Sequence, residues 1–352
     1  MLEHGTGRTY GWSRRSLGRA LVSAGVVAMT LGGGFSASAQ SGTPAASPAA
    51  TSNVAAGMTF GLIQKSGDQQ YFKDQEKGFT DVIQAAGGKV LVQDVKLDAD
   101  AAISAMDTMI GAGVKGIAIT VPDQAIGPAI AEKAKAAKIP LIALDDNIKD
   151  SAGAAVPFAG FDGADMGTKV GEEAVKLWQA SKWGADGVGA LSIEVQSLSV
   201  CMDRTNASRK LLTDAGFPAG QIQAVPYDGT APAAIDAAAT IVTAHPEITK
   251  WIVFACNDEG VQGGIRALES AGVTPANTIG VGLGAYLACP EWKSGNPTGF
   301  KAALYINGVD VGSAGANALL DAVTKGTPLP ANTIAKTTMT TPENYKETGV
   351  TC

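Results

Sequence analysis

The fold is decided by "LIALDDN", residues 141–147, where a fully apolar segment runs into two carboxylates and an amide. Pro140 precedes this segment and polar residues follow it. A short segment that is apolar on both faces is typical of a buried strand in a parallel sheet. The strand ends in Asp145 and Asp146, so two like charges lie side by side at the rim of a core. We therefore expect this strand end to face a polar site.

Strands alternate with helices on both sides of this stretch. In the first half, the predicted strands are 58–64, 89–95, 114–121 and 140–144, and the predicted helices are 71–86, 101–112 and 126–137. In the second half, the predicted helices are 163–179, 202–215, 232–245 and 260–271, and the predicted strands are 187–194, 221–227, 251–256 and 278–284. Helices that end near Gly or Pro and are followed closely by strands indicate right-handed βαβ units. The pattern predicts an α/β protein with two doubly wound parallel-sheet lobes.

The last part of the chain predicts how the lobes are joined. A strand at 299–307 precedes a helix at 309–324 that is long enough to return to the first half, and a final strand and helix at about 333–349 would close the second. We expect an N-terminal lobe of residues 57–160 plus 306–332 and a C-terminal lobe of residues 161–305 plus 333–352, joined by a multi-strand hinge. Open α/β sheets bind ligands at the carboxyl ends of their strands, so the cleft between the lobes is the predicted site.

The first 56 residues have a different character. Residues 1–39 combine adjacent basic residues at 14–15, an apolar run at 20–31 and small residues at 37–39, which is typical of a cleaved export signal. The apolar run is shorter than the roughly 20 residues that span a bilayer. Residues 40–56 predict a disordered tether. No cysteine lies near the cleavage point, so we expect a periplasmic or secreted protein without a lipid anchor; either the Sec or the twin-arginine route is open.

Composition excludes several classes of function. The formal net charge of the 352-residue chain is −6, which is unfavourable for binding nucleic acid or anionic lipid. The four cysteines could form two disulfides in three possible ways in an oxidising compartment. Because they have no Cys-x-x-Cys spacing and His245 precedes a proline at a helix end, we predict no metal site and no cofactor.

The strand ends carry polar and aromatic residues that suit a sugar. Carboxylates, amides, Lys and Arg pair with hydroxyl groups, and an aromatic ring stacks on the C–H face of a pyranose or furanose. No nucleophile is paired with a base, so we predict a binding protein and not an enzyme. Each residue also has a simpler structural role: an Asp or Asn after a strand often caps a helix, Lys65 could be a solvated loop residue, Arg204 could form a surface ion pair, and Tyr71 or Phe72 could pack in the core.

In combination, these residues resemble a known family. The stretches "GLIQKSGDQQYFKDQEKGF", "GIAITVPDQAIGPAIAEKAKAAKIPLIALDDN", "DRTNASRKLLTDAGFPAGQI" and "AHPEITKWIVFACNDEGVQGGIRALESAG" resemble the family of the periplasmic L-arabinose-binding protein, the type I sugar-binding proteins of ABC importers. The resemblance covers residues 58–350. It implies the type I periplasmic binding protein fold and a monosaccharide ligand.

The resemblance also implies which residues bind the sugar. Hydrogen bonds are expected from Lys65, Asp146, Arg204 and Asn257, with Asp145 close behind Asp146; Gln69 replaces an acidic residue of the family, Tyr71 replaces a stacking tryptophan, Phe72 follows it, and Gly284 replaces a second asparagine. Because side chains alternate along a strand, we expect Asp146 to face the ligand and Asp145 to hold Lys65 or backbone amides. We also expect Lys65 and Arg204 to converge on the two acids.

The function that the resemblance implies is capture of an arabinose-like pentose or hexose and its delivery to ABC permease membrane subunits, by a monomer. A chemosensory sugar receptor subunit is an alternative. A transcriptional regulator of the lactose-repressor type would need a helix-turn-helix ahead of the core, where an export signal is predicted instead. The glycines at 280–284 imitate a dinucleotide fingerprint, but no acidic residue follows about 20 positions later, which disfavours an NAD-dependent dehydrogenase.

Overall fold

The computed structural model describes residues 53–184 and 186–352. The predicted export signal and most of the predicted tether lie outside the described residues. The end of that tether is ordered, contrary to prediction: Ala55 is fully buried, and its N–H donates to the carbonyl oxygen of Ala86 at 2.9 Å. The folded part of the chain therefore begins a few residues earlier than the composition indicates.

Strands and helices alternate along almost the whole described chain. The first series is β1 (Thr59–Gln64), α1 (Gln70–Ala85), β2 (Lys89–Asp94), α2 (Ala99–Gly111), β3 (Ile117–Ile119), α3 (Gly127–Ala137), β4 (Leu141–Leu144) and β5 (Phe158–Gly160). The second series is α4 (Gly163–Ser181), β6 (Val188–Glu194), α5 (Ser199–Asp214), β7 (Ile222–Pro226), α6 (Ala231–Ala244), β8 (Lys250–Ala255), α7 (Asp258–Ser270), β9 (Thr278–Gly284) and α8 (Ala288–Ser294). The chain ends with β10 (Phe300–Ile306), α9 (Gly308–Lys325), β11 (Asn332–Ile334) and β12 (Thr337–Thr340).

The strands form two six-stranded sheets with the same internal order. The first sheet is β11-β5-β4-β3-β1-β2, and its strands pair in parallel. The second is β12-β10-β9-β8-β6-β7, parallel except that β12 runs antiparallel to β10. Strands such as β4 and β6 are buried along their whole length, as expected for parallel strands covered by helices on both faces. The predicted fold class, two doubly wound α/β lobes, is confirmed.

The chain passes from one lobe to the other after Gly160, after Ile306, and between Ile334 and Thr337. After the second crossing, α9 packs closely on α1: a Cβ on Gly312 would lie 1.9 Å from the carbonyl oxygen of Gln75, so only glycine fits there. The end of the chain differs from prediction. The first sheet keeps the chain as far as Ile334 rather than 332, and a single 3-10 turn, residues 345–347, replaces the predicted final helix.

A similar close approach fixes α5 against α4 in the second lobe. A Cβ on Gly167 would lie 2.1 Å from the carbonyl oxygen of Arg204, and the Ser208 hydroxyl donates to the Gly167 carbonyl oxygen at 2.8 Å. The absence of a side chain at Gly167 lets the two helices approach at backbone contact distance. The backbone of α5 at Arg204 is therefore fixed against α4, and the Arg204 side chain extends to the carboxyl ends of the strands.

Candidate functional site

A cavity of about 280 Å³ lies between the lobes, at the carboxyl ends of the parallel strands. This volume is at the small end of the range of about 300–1,000 Å³ for small-molecule sites. Eight of the nine residues predicted to form the site line it: Lys65, Gln69, Tyr71, Phe72, Asp145, Asp146, Arg204 and Asn257. Both lobes thus supply polar groups to one enclosed space.

A buried ion pair forms part of the cavity surface on the side of the first lobe. Lys65 directly follows β1, and Asp146 follows β4. The Lys65 ammonium donates to Asp146 Oδ2 at 2.8 Å, and only 8% of Lys65 and 1% of Asp146 are exposed. Burial raises the pKa of the Asp146 carboxyl, while the Lys65 charge opposes that rise. The lysine keeps two further N–H groups for a ligand.

Asp145 also lines the cavity, in a way that strand alternation did not predict. Its φ is 58°, in the left-handed region, so the alternation of β4 stops at Leu144 and both acids can face the same space. Asp145 Oδ1 accepts a hydrogen bond from the Tyr71 hydroxyl at 3.0 Å and lies 3.9 Å from Arg204 Nη2. Asp145 was expected to hold Lys65 or backbone amides; its described side chain instead contacts Tyr71 and Arg204, and Lys65 binds Asp146.

Arg204 is a buried cation that is only partly satisfied by the protein. It is 5% exposed, and its Nη1 donates to the carbonyl oxygen of Cys256 at 2.9 Å. Its Nε and Nη2 find no hydrogen-bond partner among the described residues. A surface ion pair is therefore not its role. A buried guanidinium with unpaired N–H groups beside a cavity is suited to bind the oxygen atoms of a ligand.

Asn257 combines a structural role with a place in the cavity wall. It caps α7, because its Oδ1 accepts from the Gly260 N–H at 2.9 Å. The same oxygen accepts from the Tyr227 hydroxyl at 2.5 Å, and Nδ2 donates to the carbonyl oxygen of Gly229 at 3.1 Å. The helix cap and the predicted ligand contact are therefore compatible, since Nδ2 retains one N–H.

Three tyrosines line the cavity with their hydroxyls bound to the protein. Tyr71 donates to Asp145, Tyr227 to Asn257, and Tyr286 to Glu259 Oε2 at 2.7 Å. Burial raises the pKa of all three phenols well above the ordinary value. Because their polar atoms are occupied, these residues offer mainly ring surface to a ligand.

Gly284 is the one predicted site residue that does not line the cavity. Its φ is 140°, and a Cβ there would lie 2.3 Å from Cε1 of Tyr286. Tyr286 lines the cavity in its place. A side chain at 284 would collide with this ring, so Gly284 leaves the space that the Tyr286 ring occupies and does not itself line the cavity.

Two acidic residues lie behind this wall of the second lobe. Burial raises the pKa of Glu259 to about 7 and that of Asp258 to about 6. The Tyr286 hydroxyl bond and backbone N–H groups, including that of Leu287, oppose these rises. The second lobe therefore holds carboxyl groups whose charge is sensitive to pH near neutrality.

Contacts between the lobes close the space around the cavity. Gln69 Nε2 donates to the carbonyl oxygen of Gly229 at 3.3 Å, and the backbone N–H of Ser199 donates to the side-chain oxygen of Gln124. Gln69 was predicted as a ligand residue, and it lies at the cavity while also linking the lobes. The arrangement is a closed one.

Most of the remaining cavity wall was not assigned from the sequence. The remaining lining residues are Leu97, Ala99, Pro122, Asp123, Val195, Ser197, Leu198, Cys201, Tyr227, Asp228, Gly229, Cys256, Leu283, Tyr286 and Ile306. Three of them, Val195, Tyr227 and Cys256, directly follow a strand, which is the signal that could have identified them. The others are brought in by loops whose path the sequence pattern does not encode.

Within residues 53–184 and 186–352, no helix combines the length and apolar character that a bilayer span needs. The described part of the chain also holds no group of three or more His, Cys, Asp or Glu side chains arranged to bind a metal ion.

Comparison with known proteins identifies one matching family model and two similar periplasmic binding proteins. A family model described as "Periplasmic binding protein domain" matches residues 60–327. The chain is 29% identical over 301 residues to the L-arabinose-binding periplasmic protein of Escherichia coli (strain K12), covering 84% of this chain and 91% of that protein. It is 29% identical over 297 residues to the ABC transporter L-arabinose-binding periplasmic protein of Azospirillum brasilense, covering 82% of this chain and 88% of that protein.

A solved structure has the same fold. Caulobacter myo-inositol binding protein bound to myo-inositol superimposes with a TM-score of 0.70 at 20% identity, covering 82% of this chain and 95% of that chain. At this level of identity the likeness establishes the arrangement of the lobes and leaves the ligand to be argued from the cavity itself.

Proposed function

The chain belongs to the periplasmic binding protein family, and from this premise we propose that it captures a monosaccharide between its lobes and delivers it to the membrane permease of an ABC importer. As a member of a family of binding proteins, it acts by binding and not by catalysis. The names of the two curated relatives, both L-arabinose binders, favour a sugar of pentose or hexose size.

The observation that carries the proposal is the guanidinium of Arg204, whose Nε and Nη2 have no partner among the described residues, in an enclosed cavity that also contains Lys65 and Asp146. A buried N–H without a partner costs free energy, and a sugar hydroxyl would satisfy it. Carboxylates would accept hydrogen bonds from hydroxyl groups, and the Lys65 and Arg204 cations would donate to the hydroxyl and ring oxygens. Each hydroxyl group of a sugar can both donate and accept a hydrogen bond.

The aromatic surface supports the same class of ligand. The rings of Tyr71, Tyr227 and Tyr286 meet the cavity while their hydroxyls bind Asp145, Asn257 and Glu259. A sugar ring has an apolar C–H face that packs on such surfaces. The cavity therefore offers polar groups for the edge of a sugar ring and apolar groups for its faces.

The capture mechanism follows from the two-lobed fold. With the lobes apart, Lys65 and Asp146 lie on one and Arg204 and Asn257 on the other, so a sugar can reach every partner only when the lobes meet. Ligand binding then selects the closed form. We assign the hinge to the crossings near residues 160, 306 and 335, and the ligand contacts to Lys65, Gln69, Tyr71, Phe72, Asp145, Asp146, Arg204 and Asn257.

Export from the cytoplasm is part of the proposal. The basic and apolar character of residues 1–39 is that of a cleaved signal, which leaves a free periplasmic or secreted protein. All four cysteines are paired, as Cys201–Cys256 and Cys289–Cys352, which suits an oxidising compartment.

The test is a thermal-shift panel of L-arabinose, D-ribose, D-galactose, L-fucose, D-allose and myo-inositol, followed by isothermal titration of each stabilising compound. A ligand at 100 times its Kd stabilises the folded state by about 2.7 kcal/mol, enough for a clear shift of the melting temperature. NAD(H) serves as the control for a dinucleotide enzyme. Stabilisation by NAD(H) and by no sugar, or by nothing in the panel, would overturn the proposal.

A further inference from the structure

One of the two disulfides forms part of the cavity wall. Cys201 and Cys256 both line the cavity, and their Cα atoms are 4.7 Å apart, within the normal range for a disulfide. Cys201 lies in the first turn of α5, and Cys256 directly follows β8. The bond therefore joins the helix that carries Arg204 to the strand end that carries Asn257.

Arg204 contacts Cys256, which is also one end of the disulfide. Arg204 is three positions after Cys201, so the two side chains share one face of α5. Its Nη1 donates to the carbonyl oxygen of Cys256 at 2.9 Å and lies 3.8 Å from the sulfur of that cysteine. One covalent bond and one charge-assisted hydrogen bond thus hold α5 against the end of β8.

The start of α5 packs on α4 but has no capping side chain of its own. Leu198 occupies its N-cap position and makes no side-chain hydrogen bond to the free N–H groups of the first turn. The N–H of Ser199 instead donates across the cleft to Gln124 of the other lobe. Helix starts without a capping side chain are less stable, so the disulfide adds to the α4 contacts in holding this turn when the lobes are apart.

The apolar cluster that surrounds the start of α5 contains few residues. Five buried residues, Val195, Leu198, Val200, Cys201 and Cys256, form a cluster of their own beside the cavity, separate from the larger cores of the two sheets. A cluster of this size offers few contacts that could fix the helix start if the covalent bond were absent.

We propose that the Cys201–Cys256 disulfide is a positioning element of the sugar site, holding the Arg204 guanidinium and the Asn257 amide at the spacing that one sugar requires. The inference rests on the proposed function. Groups held in place before binding lose less conformational freedom on binding, which increases affinity and narrows selectivity. Cys201 and Cys256 are then specificity-determining residues although neither is expected to hydrogen-bond the sugar.

The second disulfide provides a matched control within the same chain. Cys289–Cys352 joins the start of α8 to the last residue, and neither cysteine lines the cavity. The two bonds span 55 and 63 residues, so loop-closure entropy should stabilise the fold by similar amounts in the two cases. If the cavity disulfide only stabilised the fold, its removal would lower the melting temperature about as much as removal of Cys289–Cys352 and would affect sugar affinity no more than that removal does.

The experiment compares Cys201→Val/Cys256→Ala with Cys289→Val/Cys352→Ala, using the tightest and second-tightest sugars of the panel. We expect the first variant to lose roughly tenfold or more in affinity for the tightest sugar, with a smaller preference over the second sugar, because positioning is lost. We expect the control variant to keep wild-type affinity and preference. Both should show a similar fall in melting temperature without ligand.

A second experiment breaks the cavity disulfide by reduction instead of by substitution. It tests the proposed positioning role even if Cys201→Val/Cys256→Ala folds poorly. The Cys289→Val/Cys352→Ala protein retains only the cavity disulfide. Dithiothreitol closes to its cyclic disulfide as that bond opens to two thiols, and the affinity should fall; reoxidation should restore it. Circular dichroism checks that the reduced protein remains folded.

The outcomes separate the two proposals. Wild-type affinity in both the cavity-disulfide variant and the reduced protein would overturn this inference and leave the proposed function intact. Equal losses of affinity in the two disulfide variants would also overturn it, since the effect would then be general. Absence of sugar binding by the oxidised wild-type protein would overturn the proposed function and this inference with it.

Discussion

The two lobes present charged groups to the same cavity but satisfy them differently. In the first lobe, Lys65 is paired with Asp146 at 2.8 Å, and Asp145 accepts from Tyr71 of the same lobe. In the second lobe, Arg204 has two nitrogens without partners among the described residues. The first lobe thus pairs Lys65 with Asp146 by itself, whereas the guanidinium of the second lobe has its nearest carboxylate, Asp145, in the other lobe at 3.9 Å.

The same contrast extends to the residues behind the cavity. The second lobe buries Asp258 and Glu259 with raised pKa values, about 6 and about 7, and neither has a cation as a partner in the way that Asp146 has Lys65. A self-satisfied group contributes to folding, whereas an unsatisfied one is stabilised mainly by what binds it. We therefore expect first-lobe substitutions to reduce stability and second-lobe substitutions to reduce affinity or alter pH dependence.

The largest effect should come from breaking the first-lobe ion pair. Asp146→Asn leaves the buried Lys65 ammonium without its carboxylate, and removal of one partner of a buried pair costs about 3–5 kcal/mol of unfolding free energy. Denaturant unfolding of the ligand-free protein measures this loss.

Asp145→Asn is the matched control, one residue away and equally buried. An asparagine oxygen can still accept from the Tyr71 hydroxyl, and Arg204 lies at 3.9 Å, so the loss of stability should be smaller. Equal losses in the two variants would contradict the pairing of Lys65 with Asp146 as the main electrostatic contact of this lobe.

Glu259 should make the stability of the second lobe depend on pH. Its pKa is raised from 4.5 to about 7, so the folded state binds the proton more tightly than the unfolded state. The resulting stabilisation is complete below pH 4.5 and is lost as the pH rises through 7, a change of about 3 kcal/mol in unfolding free energy. Glu259→Gln should remove this part of the pH dependence and still accept the Tyr286 hydroxyl bond.

Denaturant unfolding at intervals between pH 4.5 and 8 measures the difference between wild type and Glu259→Gln. Glu132→Gln is the control, because Glu132 is exposed. Asp258 also titrates near neutrality, and its charge helps to raise the pKa of Glu259, so the difference between the two proteins reports Glu259 together with this coupling. A difference that is constant over this pH range would show that Glu259 does not titrate as described.

Arg204→Lys should reduce sugar affinity with little loss of stability. Lysine keeps the charge but loses the planar donors that are free to bind the ligand, and one hydrogen bond to a charged group is worth about 1.5–3 kcal/mol, or roughly 10- to 100-fold in Kd. Isothermal titration with the tightest sugar of the panel measures this change.

Arg209→Lys is the control in the same helix. Arg209 binds Glu194 and does not line the cavity, so its replacement should leave sugar affinity unchanged. If Arg204→Lys binds the sugar as tightly as wild type, the guanidinium is not a ligand group and the contrast between the lobes fails.

Much of the fold followed from local patterns in the sequence. Apolar runs such as 141–144 and 188–194 are long enough and apolar enough to be parallel strands, and their alternation with helices determines a doubly wound topology because βαβ units have one hand. Parallel topology in turn collects the strand ends at one edge, so Lys65, Asp146 and Asn257 could be placed near one another from sequence.

Details at single residues required the tertiary structure. The left-handed conformation of Asp145 cancels the alternation that was expected to separate the two acids, and the ring of Tyr286 occupies the place assigned to Gly284. The pairing of four cysteines is equally undetermined by spacing. These features depend on backbone turns and on contacts between residues far apart in the chain, to which local propensity is insensitive.

The sequence by itself therefore determined the class of fold and the edge at which the cavity lies, because periodicity and strand order act over short distances along the chain; the family resemblance indicated which polar residues to expect there. Only the tertiary structure decided which cation meets which acid, which N–H groups are left without a partner, and that a disulfide forms part of the cavity wall. Those outcomes depend on distances of a few ångströms between segments from different parts of the chain. The two aspartates that end "LIALDDN" show both levels: the strand predicted where they lie, and the turn after it decided that both face the cavity.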